Sequence, residues 1–486
     1  MVSFSSGSDD PPGTGGIDQA PDVDARVGSG SPTLTRGIPG TSPHAPELSF
    51  DDAVARLNSA LQFGIHPSLD GIRALSAALG NPQDDYQCVQ VAGTNGKTSV
   101  ARMTAAILRA HGLRVGLYTS PHLVSYTERI EIDGTPAAEA EFARALENAL
   151  LAARISNHRA AETLGVSAEE LDGAFTEFEL LTAAALWLFR ELRVDWGVLE
   201  VGMGARWDAT SVVEPAVSVV TGVSLDHTER LGTTREDIAA DKAYAIKSGS
   251  RAVLGPGCGG VEQIFFDRAL ALGVPTVRVG LSEHDVTWRV LTTPDAPGGS
   301  TRLDVIGACG QYQGLEMRAP SYQAPNLATA VAAAELALGR TLDLAAVRQA
   351  TDDLRLPGRF ELLRAEPPLV IDGAHNAEAA GVLAGAIAEA FGGALPTVVL
   401  GVLADKDAAG IVRALAPVAA RFVCTQPDSP RARPATALAE IVHAATGVRP
   451  EVAERVSDAL AATALEGAIV TGSLYMAGEA RAILLD

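Results

Sequence analysis

The sequence predicts an α/β protein of two unequal parts, each a parallel sheet with helices on both faces. Three observations predict it. Short, continuously apolar β-rich runs alternate with Ala/Leu-rich helical runs, the pattern of parallel strands buried on both sides. A Gly-rich loop, VAGTNGKTS (91–99), falls between one such strand and the next helix. RLPGRF (355–360) interrupts the alternation with Pro and Gly, and the alternation then starts again.

Taken in order, residues 1–46 are a different material from the rest. They hold eight Gly and seven Pro and a single aromatic, Phe4. Such a segment buries too little apolar area to offset its ordering entropy, so a disordered tail is expected. ELSFDDAVARLNSAL (47–61) reads as an amphipathic helix with Ser49 as N-cap before Asp51 and Asp52. CVQVAG (88–93), LRVGLYTS (113–120), WGVLEVG (196–202), VSVVTGV (217–223) and RAVLG (251–255) read as strands. TSVARMTAAILRAHG and FELLTAAALWLFREL read as helices between them. After residue 275 polar β-like runs suggest a small antiparallel piece, followed by the helix PNLATAVAAAELAL. Beyond the interruption, PLVIDGAH, TVVLGVLA, RFVCTQ and AIVTGSL are strands of a second unit. The expected organisation is thus a tail (1–46), an N-terminal domain (47–356), a hinge (357–360) and a smaller α/β domain (361–486).

Charge limits the partners. Lys+Arg is 38 and Asp+Glu is 59, a net charge of −21, which argues against a general nucleic-acid binder. It leaves room for anionic substrates, since a metal ion and backbone N–H groups can build a cationic pocket on an acidic protein. Cys88, Cys258, Cys309 and Cys424 are too far apart for metal-ligand spacing and read as isolated reduced thiols. No run of apolar residues is long enough to span a membrane, and the N-terminus lacks a cationic and an apolar signal region. A cytoplasmic monomer that meets neither nucleic acid nor membrane is expected.

The loop at 91–99 carries the strongest chemistry. Backbone N–H groups of Gly93, Thr94, Asn95 and Gly96 can hold phosphates, Lys97 adds a positive charge, and Thr98 or Ser99 can reach a metal ion. The strict phosphate-loop spacing would place Gly at 91, where this chain has Val91, so G-T-N-G-K-[TS] is a variant. The first domain therefore reads as a P-loop ATPase-type sheet and the second as a smaller Rossmann-like one.

GTNGKTS beside YTSPHL (118–123) resembles the Mur ligase superfamily, and within it the dihydrofolate synthase/folylpolyglutamate synthase family. ERI (128–130), TEFE (176–179), EVGMGARWDAT (200–210), LDHT (225–228), DKA (241–243), PGRF (357–360), DGAHN (372–376), DKD (405–407) and TGSLY (471–475) follow in the family's order. The resemblance implies ATP-dependent amide formation. A pterin or folate carboxylate takes the γ-phosphoryl group of ATP, and the amine of L-glutamate displaces phosphate from the acyl phosphate. It implies ATP and Mg2+ as cofactors, with two ions in reach and manganese able to substitute.

The resemblance also assigns roles. It makes Lys97, Lys242, His227 and Arg359 catalytic, and adds Asn326, Arg359 and Asp372 to the loop as ATP contacts. Ser99, Ser120, Glu200 and His227 become metal ligands. Lys242 becomes a carbamylated lysine (N6-carboxylysine), although its neighbours read D-K-A-Y-A, with Tyr244 where the family usually has Gly. His66, Pro67, Ser68, Thr176, Glu177, Phe178, Glu179, Trp207, Asp208 and Ala209 become pterin contacts, and His375 and Ser473 glutamate contacts. The family commonly has Leu at 207 and Gly at 205, where this chain has Trp207 and Ala205. Without the resemblance each has a plainer reading. Ser120 and Ser473 are turn residues, Lys242 a surface lysine, Glu200 a buried ion-pair partner, Arg359 an inter-domain ion pair, and Phe178 and Trp207 core aromatics.

The function expected is ligation of L-glutamate to dihydropteroate, giving dihydrofolate, and to reduced folates as γ-linked polyglutamate. The alternatives are a folylpolyglutamate synthase alone, a Mur-type cell-wall ligase, a small-molecule kinase, and a nucleotide-binding module without turnover. The cell-wall ligase would need a further N-terminal domain. Roughly 40 residues between tail and phosphate loop are too few for one.

Overall fold

The structure, a computed structural model, describes residues 48–485 apart from 62, 63, 65, 66, 165, 166 and 168–174. The expected tail (1–46) and His66 lie outside the described residues. Ser49 caps the helix Phe50–Ala60 as the sequence predicts, its Oγ accepting from Asp52 N at 3.1 Å.

The first sheet has eight strands: β1 (Gln87–Ala92), β2 (Val115–Tyr118), β3 (Ile130–Ile132), β4 (Thr135–Pro136), β5 (Trp196–Glu200), β6 (Val217–Gly222), β7 (Arg251–Gly257) and β8 (Thr276–Arg278). Their order is β4-β3-β2-β5-β1-β6-β7-β8. From β2 to β8 the pairing is parallel, and β1, β5 and β6 are almost wholly buried, as their apolar runs require. One face packs on the helices Lys97–Ala110 and Ala324–Leu338, the other on Glu139–Leu164 and Glu177–Glu191. The sheet is not parallel throughout. Asp133 and Gly134, at φ 53° and 80°, make a tight turn that folds β3 and β4 into an antiparallel edge hairpin. From β1 the chain crosses to β2 on one side, and from β5 it returns to β6 on the other. The carboxyl ends of β1, β5 and β6 meet at this reversal, where open α/β sheets bind ligands.

The piece after residue 275 is an antiparallel sheet of β9 (Thr287–Thr292), β10 (Thr301–Ile306) and β11 (Gln311–Met317). Buried Glu335 ties it to the Ala324–Leu338 helix by accepting from Ala308 N, Cys309 N and the Tyr312 hydroxyl at 2.6, 3.1 and 2.7 Å. A third sheet holds β12 (Glu361–Arg364), β13 (Leu369–Ile371), β14 (Thr397–Leu400), β15 (Arg421–Cys424), β16 (Glu451–Val452) and β17 (Ala468–Thr471). Its order is β12-β13-β17-β14-β15-β16, parallel except for β12. Val370, Leu400 and Ile469 face one core and Leu369, Ile371 and Val470 the other, so this sheet too is covered on both sides. All four cysteines are free. Among the described residues no helix is long and apolar enough to cross a membrane.

Candidate functional site

A cavity of about 470 Å³ lies where the carboxyl ends of the first and third sheets face each other. Thr94, Asn95, Gly96, Lys97, Thr98, Ser99, Ser120, Glu200 and His227 line it from the first sheet. Asp372, His375 and Ser473 line it from the third, with Arg359 from the segment between and Asn326 from the Ala324–Leu338 helix. One space therefore holds the loop from Thr94 to Ser99 and the expected metal and glutamate residues; Gly93 does not line it.

Close backbone approach shapes the loop. Gly93 has φ 148°, and a Cβ there would stand 1.9 Å from Thr221 Oγ1. Gly96, at φ 83°, begins the Lys97–Ala110 helix without a side-chain cap, and a Cβ there would stand 2.7 Å from Asn326 Oδ1. Thr94 N donates to Gly222 O at 2.8 Å and Thr221 Oγ1 to Asn95 O at 2.6 Å, fastening the loop to β6. The helix N-terminus, its first N–H groups uncapped by any side chain among the described residues, opens on the cavity, as anion binding requires. Lys97 is folded back on Thr94 O at 3.1 Å, and burial lowers its pKa.

At the foot of the loop, buried Glu200 accepts from Thr98 Oγ1 at 2.9 Å and from Ser120 N at 3.3 Å. Burial raises the pKa of its carboxyl against the pull of Lys97 and Thr98. Among the described residues no three His, Cys, Asp or Glu side chains converge as a metal cage. The donor set is one carboxylate, hydroxyls of Thr98, Ser99 and Ser120, and the His227 imidazole on the same cavity. This oxygen-rich, open set fits a hard divalent cation. His227 sits at φ 51° at the start of the short Thr228–Leu231 helix; burial pushes its pKa down to about 4 despite Asp226 beside it.

Asp226 and Lys406 join the two halves, and the sequence reading gave neither a role. Lys406 Nζ lies 2.7 Å from Asp226 Oδ1, while His375 Nε2 and His227 Nε2 lie 3.7 and 3.8 Å from Asp226 Oδ2. Burial alone would push the Asp226 carboxyl up, yet His375, His227 and Lys406 hold it far below the usual carboxylate range. Asn95 adds two contacts across the cavity, to Glu378 and Asn376, each at 3.3 Å. LDHT and DKD already stood out as sequence blocks, which was the available signal.

Lys242 is not a surface lysine. It is 4% exposed, and its Nζ donates to Gly93 O at 2.9 Å from behind the phosphate loop. Burial and nearby Lys97 push its pKa down to about 7. Asp241, beside it, accepts from Ala205 N at 2.7 Å.

Asp372 is buried with both oxygens engaged by main chain: Phe360 N on Oδ2 and Ala374 N on Oδ1, each at 2.8 Å. It thereby fixes the segment that carries Arg359. Gly373 leaves room for Arg359, since a Cβ there would meet the guanidinium at 2.5 Å. His375 Nδ1 lies 2.9 Å from Gly373 O, and Ser473 Oγ accepts from Met476 N at 3.0 Å.

The expected pterin contacts divide. Phe178 and Asp208 stand behind Gly202, where a Cβ would meet them at 2.8 and 3.1 Å, and Gly202 lines the cavity. Ala209 is core. Thr176 and Glu179 are occupied by a capping box that starts the Glu177–Glu191 helix, and Glu177 pairs with Arg129 at 3.2 Å. Ser68 Oγ is engaged by Asp70, and Pro67 is exposed. Trp207 is not a core aromatic: it is 44% exposed, with Arg206 over its ring at 4.7 Å.

A phosphate loop and an acidic strand end facing a second α/β sheet across one cavity define a two-lobed ligase of the Mur type. The family model described as "Mur ligase, glutamate ligase domain" matches residues 358–473. The chain is 38% identical to the dihydrofolate synthase/folylpolyglutamate synthase of Mycobacterium tuberculosis, over 86% of this chain and 90% of that protein. Its structure is similar to that of M. tuberculosis folylpolyglutamate synthase complexed with ADP, with TM-score 0.80, 35% identity, and 89% and 99% of the two chains covered. It is also similar to the bifunctional enzyme of Yersinia pestis complexed with AMPPNP and Mn ion, with TM-score 0.76, 29% identity, and 92% and 100% covered. The chain belongs to the dihydrofolate synthase/folylpolyglutamate synthase family.

Proposed function

We propose that the chain is an ATP-dependent ligase that adds L-glutamate to dihydropteroate, forming dihydrofolate, and to reduced folates, extending a γ-linked tail. It acts in the cytoplasm as a monomer, through domains 47–356 and 361–486 hinged at 357–360. The observation that carries this reading is the single cavity walled by Lys97 and Glu200 on one side and His375, Lys406 and Ser473 on the other. It can hold a nucleotide and an amino acid face to face.

In this reading the loop N–H groups and Lys97 bind the β- and γ-phosphates of ATP, and Asn326, Arg359 and Asp372 complete the nucleotide contacts. Ser99, Ser120, Glu200 and His227 would hold Mg2+, which when bound neutralises phosphate charge and acts as a Lewis acid. The substrate carboxylate takes the γ-phosphoryl group, ADP leaves, and the glutamate amine displaces phosphate. Lys97 and Arg359 stabilise the charge that gathers as two anions meet. His375, Ser473 and Lys406 orient glutamate, and Lys406 offers its carboxylates a cation. Closure around Asp226 keeps water from the acyl phosphate. Phe178 and Asp208 hold the pterin. The depressed pKa of Lys242 supplies neutral amine near pH 7. Its Nζ can add to CO2 with loss of one proton, leaving a carbamate behind the loop.

Trapping tests the chemistry. ATP, Mg2+, tetrahydrofolate and hydroxylamine without glutamate should give a folyl hydroxamate. ADP release with no hydroxamate, or a stable phosphorylated substrate, would overturn the acyl-phosphate reading in favour of a kinase.

A further inference from the structure

A second cavity, of about 620 Å³, lies outside the site described above. It runs between the Asp70–Ala78 helix, the 205–214 segment and the Glu262–Leu272 helix. Its charge is opposite to that of the chain. Arg73, Arg206, Lys247 and Arg268 line it against one acid, Glu214, in a protein with 59 acidic and 38 basic residues. Arg206 and Arg268 have no carboxylate partner among the described residues; instead both lie over Tyr244, at 4.9 and 4.8 Å from its ring, with Arg268 Nε donating to Ile246 O at 3.4 Å. Arg206 also covers Trp207, so Trp207, Arg206, Tyr244 and Arg268 form one ladder. Stacking on aromatic faces fixes a guanidinium while leaving its N–H fork free for a carboxylate.

Two orphan groups point to a ligand as well. Among the described residues Ser76 Oγ, on a fully buried side chain, and Gln83 Oε1 have no hydrogen-bond partner, and both residues line this cavity. An unpaired buried polar atom costs about 1–3 kcal/mol, so such atoms mark places where something polar binds. A hydroxyl donor, an amide-oxygen acceptor and a row of cations match a chain that alternates amide N–H groups with carboxylates. Inorganic anions would leave the Gln83 oxygen unmet.

The cavity shares a wall with the catalytic site. Ala205 and Arg206 line it, and three residues earlier Gly202 lines the first cavity. Asp241 accepts from Ala205 N and Arg206 N, Lys242 reaches Gly93 O, and Tyr244 returns to the second cavity.

We infer that this cationic cavity binds the oligo-γ-glutamyl tail of the folate substrate, with Arg73, Arg206 and Arg268 as its carboxylate contacts. The inference rests on the function proposed above and names a further substrate-binding surface of the same enzyme. It makes preference for long-tailed substrates separable from chemistry at the γ-carboxylate.

The test uses Arg268→Gln and, on the opposite wall, exposed Arg73→Ala, alone and combined. Arg206 is left intact because it adjoins Trp207 and Asp208. With one-glutamate tetrahydrofolate, kcat/KM should stay within about twofold of wild type. With a tail of three γ-linked glutamates, the double variant should show KM raised roughly tenfold with kcat little changed. Free tri-γ-glutamate should bind wild type more weakly as salt rises and should not bind the double variant. Equal loss for short and long tails, or no loss for long ones, overturns the inference. Wild type that ligates glutamate but does not bind free tri-γ-glutamate also overturns it while leaving the proposed function intact. Wild type that binds tri-γ-glutamate through Arg73 and Arg268 yet ligates nothing supports the cavity and overturns the proposed function.

Discussion

Replacing Lys242 by methionine should stabilise the protein and abolish its turnover. The side chain is 4% exposed and its nitrogen meets one carbonyl, Gly93 O at 2.9 Å. Burial pushes the ammonium from its ordinary 10.5 down to about 7. At ~1.36 kcal/mol per pH unit, holding it charged in the fold costs up to ~5 kcal/mol. The sign follows from proton counting. Below pH 7 both states hold the proton and the folded state carries the whole cost. Between pH 7 and 10.5 only the unfolded state holds it, so stability rises with pH. Methionine removes that cost but leaves Gly93 O without its donor, a loss of about 1–3 kcal/mol. The variant should therefore be more stable than wild type by about 2–4 kcal/mol at pH 6. Its advantage should shrink toward pH 9. Urea unfolding at both pH values, in buffer purged of CO2 so that no carbamate forms, measures this, and a glutamate-ligation assay measures turnover. A variant less stable than wild type at pH 6 would refute the burial argument. Near-normal ligation would refute the role given to Lys242.

Gly93→Ala forces a Cβ to 1.9 Å from Thr221 Oγ1 at φ 148°, so ADP affinity should fall at least about tenfold by calorimetry; unchanged affinity would remove the loop from nucleotide binding. Lys406→Met leaves Asp226, among the described residues, with two imidazoles and the His227 N–H at 2.9 Å but no lysine cation. It should cost ~3 kcal/mol in denaturant unfolding and raise KM for L-glutamate more than KM for ATP. His122 accepts from Arg129 Nε at 2.9 Å, and burial with that cation pushes its pKa from 6.5 down to about 3. Because the folded value lies below the unfolded one, stability is lost as pH falls from 6.5 toward 3. The melting temperature of His122→Gln should decline less steeply over pH 4–7.

The parts of the fold that were legible in the sequence are those decided locally. Continuous apolar runs gave β1, β5 and β6, and the strand–GTNGKTS–helix context gave the loop, because each depends on neighbours a few residues away. What stayed hidden depends on docking. Asp226 and Lys406 are 180 residues apart, and nothing in LDHT or DKD alone says that they meet. The antiparallel β3–β4 edge turns on Asp133-Gly134, a local turn signal that the sequence reading did not use. Thr176 to Glu179 spells a capping box, a local signal that competes with the pterin reading of the same residues and accounts for the atoms it uses. The cationic cavity had no sequence signature, because Arg73, Arg206 and Arg268 come from three distant segments of an acidic chain.

The central claim is tested most directly by offering dihydropteroate and tetrahydrofolate separately, with ATP, Mg2+ and L-glutamate, and weighing the products. The account predicts the mass of one added glutamate on dihydropteroate and of one or more on tetrahydrofolate. Addition to tetrahydrofolate alone would discard the pterin site at Phe178 and Asp208. Addition to neither, with ATP still bound, would contradict the account.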